Sequence, residues 1–523
     1  MPRPILKKKI GVIGAGIGGL SVACRLAKDG HNVHLFEKND KVGGKLNEWS
    51  DKGYRFDTGP SLLTMTHTLE ELFSYCEQDR KQYLNYSELS PLCRYFWEDG
   101  TQLDSYSELE KALDEIRKFA PEDEQAYKEF LFYSKNIYDK TSQAFLESPL
   151  YEWSDLKSLK LTDALKIDAL QPMAKSIDKR FKSVYLKQLF KRFATYNGSN
   201  PYKAPATLNV IAHVELSMGG YYVEGGMYTI AKALENLALK MGVTIHVNSP
   251  IEQLVTAKSN RKIIAVKING EIQEFDTVVS NCDATITHTE LTTNDQINLP
   301  KKSQLKSIEP SCSGFVLLLG INKKYRQLKH HNIFFSSNYK NEFDELFNQK
   351  IASKNPTIYI SNTSDKTLFD IPDGEKSNFF ILVNTPYLNE NEMDWDEQKN
   401  ESYGNLIIDR LEKLGLTGLK DAIEVRHHIN PTDFYNKYLS NKGSIYGTSS
   451  NGKMAAFARP KNKSIFFDNL YLAGGSTHPG GGIPLAILSA KHAHTLFNRD
   501  LEIESSHLIK MGKLTKHKSK GNR

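Results

Sequence analysis

A chain of 523 residues, 39% hydrophobic and 25% charged, can bury a large core and carries none of the bias of a disordered or fibrous protein. Two to four domains or one large discontinuous assembly fit that length, and no run reaches the ~18 to 20 apolar residues that cross a bilayer. The formal charge of +6 resides at the ends: setting aside Arg3, Lys7, Lys8, Lys9, Lys510, Lys513, Lys516, Lys518, Lys520 and Arg523 leaves 58 basic residues against 62 acidic.

The opening MPRPILKKK lacks the apolar stretch of a secretory signal, so a cytoplasmic protein is expected. Two readings of the basic ends stay open: solvated, frayed termini, or attraction to an anionic membrane surface. Nucleic-acid binding is not expected, because no basic patch interleaved with aromatics occurs in the body of the chain. Cys24, Cys76, Cys93, Cys282 and Cys312 are scattered without a C-x-x-C pair. That argues against a disulfide scaffold or a structural zinc site, and no metal is expected.

The chain begins with its most informative stretch. Ile10, Val12 and Ile13 form an apolar run suited to a buried parallel strand, and Gly14, Gly16 and Gly19 follow at G-x-G-x-x-G spacing. In that turn one glycine allows the tight bend, one lets the backbone approach a pyrophosphate, and one lets helix pack on strand. Leu20, Ala23, Cys24, Leu26 and Ala27 share one face of the helix, which ends at Asp29-Gly30. Val33 and Leu35 give a second strand with Glu37 at its carboxyl end, where a carboxylate can hold both hydroxyls of an unphosphorylated ribose. Strand, turn, helix, strand and acid in register point to a dinucleotide site. A second pair, Gly43-Gly44, then gives backbone amides access to phosphate beside the cation Lys45. Tyr54 to Pro60 reads as a strand ending in a sharp turn.

From about Tyr86 to Leu216 glycine nearly vanishes, and a mostly helical insert is expected, fronted by a hairpin at Tyr95 to Gly100. Its aromatic stripes, Phe130, Tyr133, Tyr138 and Phe145, then Phe181, Tyr185, Phe190, Phe193 and Tyr196, fit core packing, with the remainder free to line a tunnel or touch lipid. Gly225-Gly226 precede a helix bearing Ile230, Ala233, Leu234 and Leu237. Strands are expected at 243–247, at Ile251 paired with 263–268, and at Val278 to Ser280, ending in the polar turn Asn281-Cys282-Asp283. Between Leu305 and Lys453 strands are expected at 314–319, 357–360 and 379–383, and 430–446 reads as loop-rich and able to cover a site. Finally NLYLAGGSTHPGGGIP runs a strand into five glycines and a helix opening at Pro484, which implies a ligand held against the backbone.

Taken together, GVIGAGIGGLSVACRLAKDGHNVHLFEKNDKVGGK, YRFDTGPSLLT, YVEGGMYTIAKAL and NLYLAGGSTHPGGGIPLAILSAK resemble the FAD-dependent carotenoid (phytoene) desaturases over nearly the whole chain. GGKL at 43–46, LCRYFWEDGT at 92–101 and YGTSSNGKMAAF at 446–457 look like the carotenoid 3,4-desaturase (hydroxyneurosporene desaturase) branch. Phytoene desaturases themselves more often carry arginine where Lys45 stands. The resemblance implies an α/β fold: a Rossmann-type FAD-binding domain of the amine-oxidase or glutathione-reductase kind, from 1–85, 217–300 and 455–505. It also implies a discontinuous α+β substrate-binding, membrane-facing domain from 86–216 and 301–454, with a basic tail at 506–523.

For FAD the resemblance implies Gly14, Gly16, Ile17, Gly18 and Gly19 at the pyrophosphate, Glu37 and Lys38 at the ribose, and the Ile251 backbone at the adenine. Gly43, Gly44, Lys45 and Leu46 would pass the diphosphate and the ring system, and Gly59, Pro60 and Ser61 would be further cofactor-binding positions. Gly475, Ser476, Gly482, Ile483 and Pro484 would bring a helix N-terminus to the pyrimidine. The chemistry implied is desaturation of a lipophilic carotenoid, with hydride passing to flavin N5 and a proton to solvent or a weak base. The electrons would go on to oxygen or a quinone, at the inner face of the cell membrane. Lys45, Glu224 and His478 are the weak candidates for base or electrostatic partner, a structural or FAD-phosphate role being favoured over it for each. Other readings of the same motifs are phytoene desaturation, carotenoid cis–trans isomerisation, amine or protoporphyrinogen oxidation, and non-redox isoprenoid binding.

Overall fold

A computed structural model describes residues 6–151, 168, 171–257, 261–365, 371–372, 374–389, 395–452 and 459–518. Its nucleotide half is built on a five-stranded parallel sheet in the order Leu470–Leu472, Thr277–Ser280, Lys9–Ile13, Asn32–Phe36, Thr244–His246. Side chains alternate across it, so its two faces feed two cores. Val279 and Tyr471 join the core of the helices Ile17–Lys28, Thr229–Lys240 and Ile483–Lys518. Val278, Leu470 and Leu472 join a second core under the antiparallel sheet Ile251–Thr256, Ile263–Ile268, Glu271–Glu274. The first helix is apolar on its buried face as the sequence predicts, and every residue from Ile17 to Ala27 is buried.

The second half is a seven-stranded mixed sheet in the order Ile423–Ile429, Ser313–Ile321, Ser377–Thr385, Ile358–Asn362, His331–Phe334, Cys93–Phe96, Gln102–Ser105. All nine residues of Ser313–Ile321 are buried, and they pair antiparallel with all nine of Ser377–Thr385. That is why this apolar run is a core strand. Cys93–Phe96 and Gln102–Ser105 form the expected hairpin, and Cys93–Phe96 runs parallel to His331–Phe334. Two strands of this sheet escape the sequence reading because their residues are not apolar-rich: HNIF and IEVRHHI.

The insert is helical at Leu109–Phe119, Glu124–Thr141, Met173–Asp178, Val184–Lys191 and Val210–Leu216. Part of it, 152–167, lies outside the described residues, as do Arg3, Lys520, Arg523 and the 453–457 end of the YGTSSNGKMAAF motif. Phe130, Phe181 and Phe190 pack ring on ring, with centroids 4.4 to 5.3 Å apart, so most of the aromatic stripe is core. The segment 430–446 is less loop-rich than expected: it opens with the helix Pro431–Tyr438, started by a capping box of Asn430 and Asp433 with Pro431 in the first turn, and is irregular after it apart from the short turn Asn441–Gly443. The last helix begins at Ile483, one residue before the predicted Pro484, and continues to Lys518, so the predicted tail is helical through most of its length. No described helix is long and apolar enough to cross a membrane.

The first and last helices are tied together at Asp29. Its carboxylate accepts hydrogen bonds from Tyr75 Oη at 2.5 Å, His494 Nε2 at 2.7 Å and Asn498 Nδ2 at 3.2 Å. Burial pushes this carboxyl up, but the three donors outweigh it and hold it down at about 2. A depressed carboxyl stabilises the fold above its unfolded value near 4 and loses that contribution as pH falls through about 2. Asp29→Asn should therefore cost about 1 kcal/mol at neutral pH, solvent screening trimming the full linkage value. In urea unfolding the gap from wild type should close as the pH is lowered from about 4 toward 2.

Candidate active site

The site lies at the carboxyl ends of the parallel strands, where three glycine turns meet. A Cβ on Gly19 would fall 1.9 Å from Gly14 O, so this third glycine serves helix-on-strand packing, as its spacing predicts. A Cβ on Gly18 would fall 2.9 Å from Gly474 Cα, which brings the first and last turns of the chain into backbone contact. Gly43 N–H donates to Ala15 O at 2.8 Å and bridges to Gly16, adding the second glycine pair to the cluster. Asn281 pins the group: its Nδ2 donates to Ala473 O at 2.9 Å while its side chain abuts Gly16, Gly18 and Gly474. The sequence reading marked that polar turn but gave Asn281 no role.

Gly16 occupies the N-cap of the first helix and supplies no side-chain cap, so the first-turn amides are left for an anion. Glu37 is buried beside them, its Oε2 accepting from Ala15 N–H at 2.8 Å and its Oε1 from the Asn39 backbone and side-chain N–H groups. Those bonds fix the carboxylate and leave further lone pairs for ribose hydroxyls.

From this cradle a cavity of about 780 Å³ runs into the other half of the molecule. Every position singled out for the dinucleotide lines it except Gly19, which packs on Gly14. Beyond the cradle the wall is largely apolar, with Phe145, Leu208, Ile211, Val214, Ile333 and Phe380 among its residues. Lys437 and Tyr438 from the unforeseen helix close the other flank.

The family described as flavin containing amine oxidoreductase matches residues 17–493. This chain belongs to it. The oxidoreductase is 37% identical to a 1-hydroxycarotenoid 3,4-desaturase from a Flavobacterium species, over 92% of this chain and 98% of that one. It is 34% identical to 4,4'-diaponeurosporene oxygenase of Staphylococcus aureus, over 94% and 98%. These relatives bear out the resemblance to the carotenoid desaturases. Among solved structures, putrescine oxidase superposes with a TM-score of 0.62 at 12% identity, covering 95% of this chain and all of that one. Cyclohexylamine oxidase from Brevibacterium oxydans gives 0.60 at 13%, covering 95% and 100%. The fold is the α/β FAD-binding fold, and the oxidoreductase uses FAD. The uncapped helix, the glycine cradle and the fixed Glu37 carboxylate suit its pyrophosphate and ribose.

The three catalytic candidates fare differently. Lys45 lines the cavity and donates to Ser444 O at 3.1 Å and Ile445 O at 2.7 Å; desolvation pulls its ammonium down to about 8, against the opposing pull of Asp283. His478 also lines it, but its Nε2 bonds to Ser148 O at 3.0 Å and its ring stacks on His492 with centroids 5.4 Å apart. Glu224 is exposed and outside the cavity, with its backbone N–H bound to Asn85 O; proximity in sequence to Gly225-Gly226 did not bring it to the site. Groups the sequence reading missed include Arg459, buried at the wall with burial pulling it down to about 10, and the buried pair Arg192–Glu215.

Two outcomes are expected. Gly18→Val drives a side chain into Gly474 and should yield protein purified without flavin absorbance. The Lys45 charge is present below about pH 8 and lost above it, so the flavin's reduction potential should show a break near that pH. Lys45→Met should abolish the break and Lys45→Arg move it upward; an unchanged break in Lys45→Met would assign it to another group.

Proposed function

We propose that this oxidoreductase desaturates a carotenoid, and that its substrate is a 1-hydroxycarotenoid reacting at the 3,4 bond. The observation that carries this is the continuity of the cavity: the flavin cradle opens without a partition onto an apolar wall, in a chain similar to a named 3,4-desaturase along its length. Bound FAD supplies the two-electron acceptor that the CH–CH unit needs, taking a hydride while a proton leaves to water or a weak base.

The protein's part is to hold, orient and keep dry. Phe145, Leu208, Ile211 and Val214 border the space that a polyene would fill, and their apolar surface favours a hydrocarbon over water. The helix opening at Ile483 borders the cavity with its N-terminus, whose partial positive charge favours negative charge developing there. Lys45 adds a second positive charge on the same wall. A substrate this apolar partitions into lipid, so the enzyme works at the inner face of the cell membrane and passes its electrons to oxygen or a quinone. The basic residues at both ends of the chain support that placement.

Expression in cells that make one defined 1-hydroxycarotenoid tests the reading. The product should lose two hydrogens in mass and absorb at longer wavelength. Unchanged pigment overturns the reading; a gain of oxygen turns it to the oxygenase chemistry named for the Staphylococcus aureus relative. An isomer of unchanged mass turns it to cis–trans isomerisation.

A further inference from the structure

Three polar side chains from three separate segments form a chain of hydrogen bonds in the cavity wall. Ser61 Oγ lies 2.5 Å from Tyr359 Oη, and Tyr359 Oη lies 2.7 Å from His331 Nδ1. All three residues line the cavity. Ser61 follows Gly59 and Pro60, and a Cβ on Gly59 would fall 1.9 Å from Lys45 O. Ser61 thus sits two residues from a backbone segment packed on Lys45, in the wall that the cavity shares with the glycine cradle. Its hydroxyl has a single protein partner, Tyr359.

The direction of the chain follows from its closed end. His331 is 2% exposed, and its Nε2 is buried without a hydrogen-bond partner. Burial, with His330 and Arg192 adding to it, holds this imidazole well below its ordinary value, so it is neutral and carries one N–H. Were that proton on Nε2, a buried donor would stand unsatisfied; on Nδ1 it donates to Tyr359 Oη and leaves only a bare lone pair, the less costly orphan. Tyr359 then has its own O–H left to give, and Ser61 Oγ accepts it. The Ser61 O–H is thereby left to turn toward the cavity.

We infer that Ser61, oriented by Tyr359 and His331, donates a hydrogen bond to the substrate's hydroxyl oxygen and so selects a hydroxylated carotenoid over the matching hydrocarbon. The inference rests on the carotenoid desaturation proposed above. In a 1-hydroxycarotenoid reacting at the 3,4 bond, the oxygen-bearing carbon is two bonds from the reacting pair. Its anchor must therefore lie close to the redox ring, and Ser61, two residues beyond the contact of Gly59 with the Lys45 backbone, is placed to serve as one. A wall made only for hydrocarbon would gain nothing from this chain, since each buried polar group costs stability unless it is paired.

The test compares kcat/KM for a 1-hydroxycarotenoid and for the same carotene without the hydroxyl, using the full-length flavoenzyme. Ser61→Ala should lower the ratio of the two by about tenfold, the worth of one neutral hydrogen bond in a dry site. Ser61→Thr, which keeps the hydroxyl, should restore it. Tyr359→Phe should lower it by a smaller factor, because the serine is then present but unoriented. A ratio unchanged in Ser61→Ala and Tyr359→Phe overturns the anchor alone. Loss of bound flavin in Ser61→Ala also overturns it, by assigning Ser61 to the cofactor cradle. A wild-type enzyme inert on both carotenoids overturns the proposed function and the anchor with it.

Discussion

Everything in this molecule depends on how closely three backbone turns approach one another at the end of the parallel sheet. Gly18 and Gly474 come so near that a methyl group on the first would strike the second, and Asn281 fills the gap between them. Such contact is possible only without side chains, and it leaves amide groups as the surface a ligand meets. It also dictates chain order. The strand Leu470–Leu472 must return to lie beside Thr277–Ser280, so the last hundred residues cannot form a separate body. The long insert and the second sheet are excursions between visits to this one point.

Those excursions make the cavity. The seven-stranded sheet lends Ile333, Tyr359, Phe380 and Leu382 to one wall and the insert lends Phe145, Leu208, Ile211 and Val214 to another. The buried pair Arg192–Glu215 also borders this space. Arg192 pairs with Glu215, donates to Tyr95 Oη, and lies over the Phe193 ring at 4.5 Å, so a buried ion pair is satisfied on several sides. Such a pair adds little net stability, while loss of either partner would strand the other charge in an apolar wall. Its value is geometric: it fixes Tyr196 in the cavity wall and Tyr95 behind it.

Much of the nucleotide half was legible because each of its features is local. The spacing of Gly14, Gly16 and Gly19, the period of the first helix and the acid at Glu37 all lie within thirty residues. The run GFVLLLGI announced a central strand for the same reason. What escaped depends on tertiary context. HNIF and IEVRHHI carry too little apolar residue to read as strands; HNIF becomes one because neighbours on both sides offer hydrogen bonds, and IEVRHHI because it pairs along one edge with Ser313–Ile321. The helix Pro431–Tyr438 is eight residues long, too short to show a period, and only its Asn430-Pro431 start could have signalled it. Glu224 misled because a glycine pair beside it looked like part of a ligand turn. Ser61, Tyr359 and His331 lie almost three hundred residues apart at the extremes, and no spacing rule joins them.

For the proposed chemistry a flavin and a polyene must meet in one shared space. Anaerobic mixing of the purified yellow protein with a 1-hydroxycarotenoid tests that most directly. The flavin absorbance should bleach as one equivalent of desaturated pigment forms, and oxygen should restore the colour. A flavin that stays oxidised beside a carotenoid bound in equal amount would contradict it.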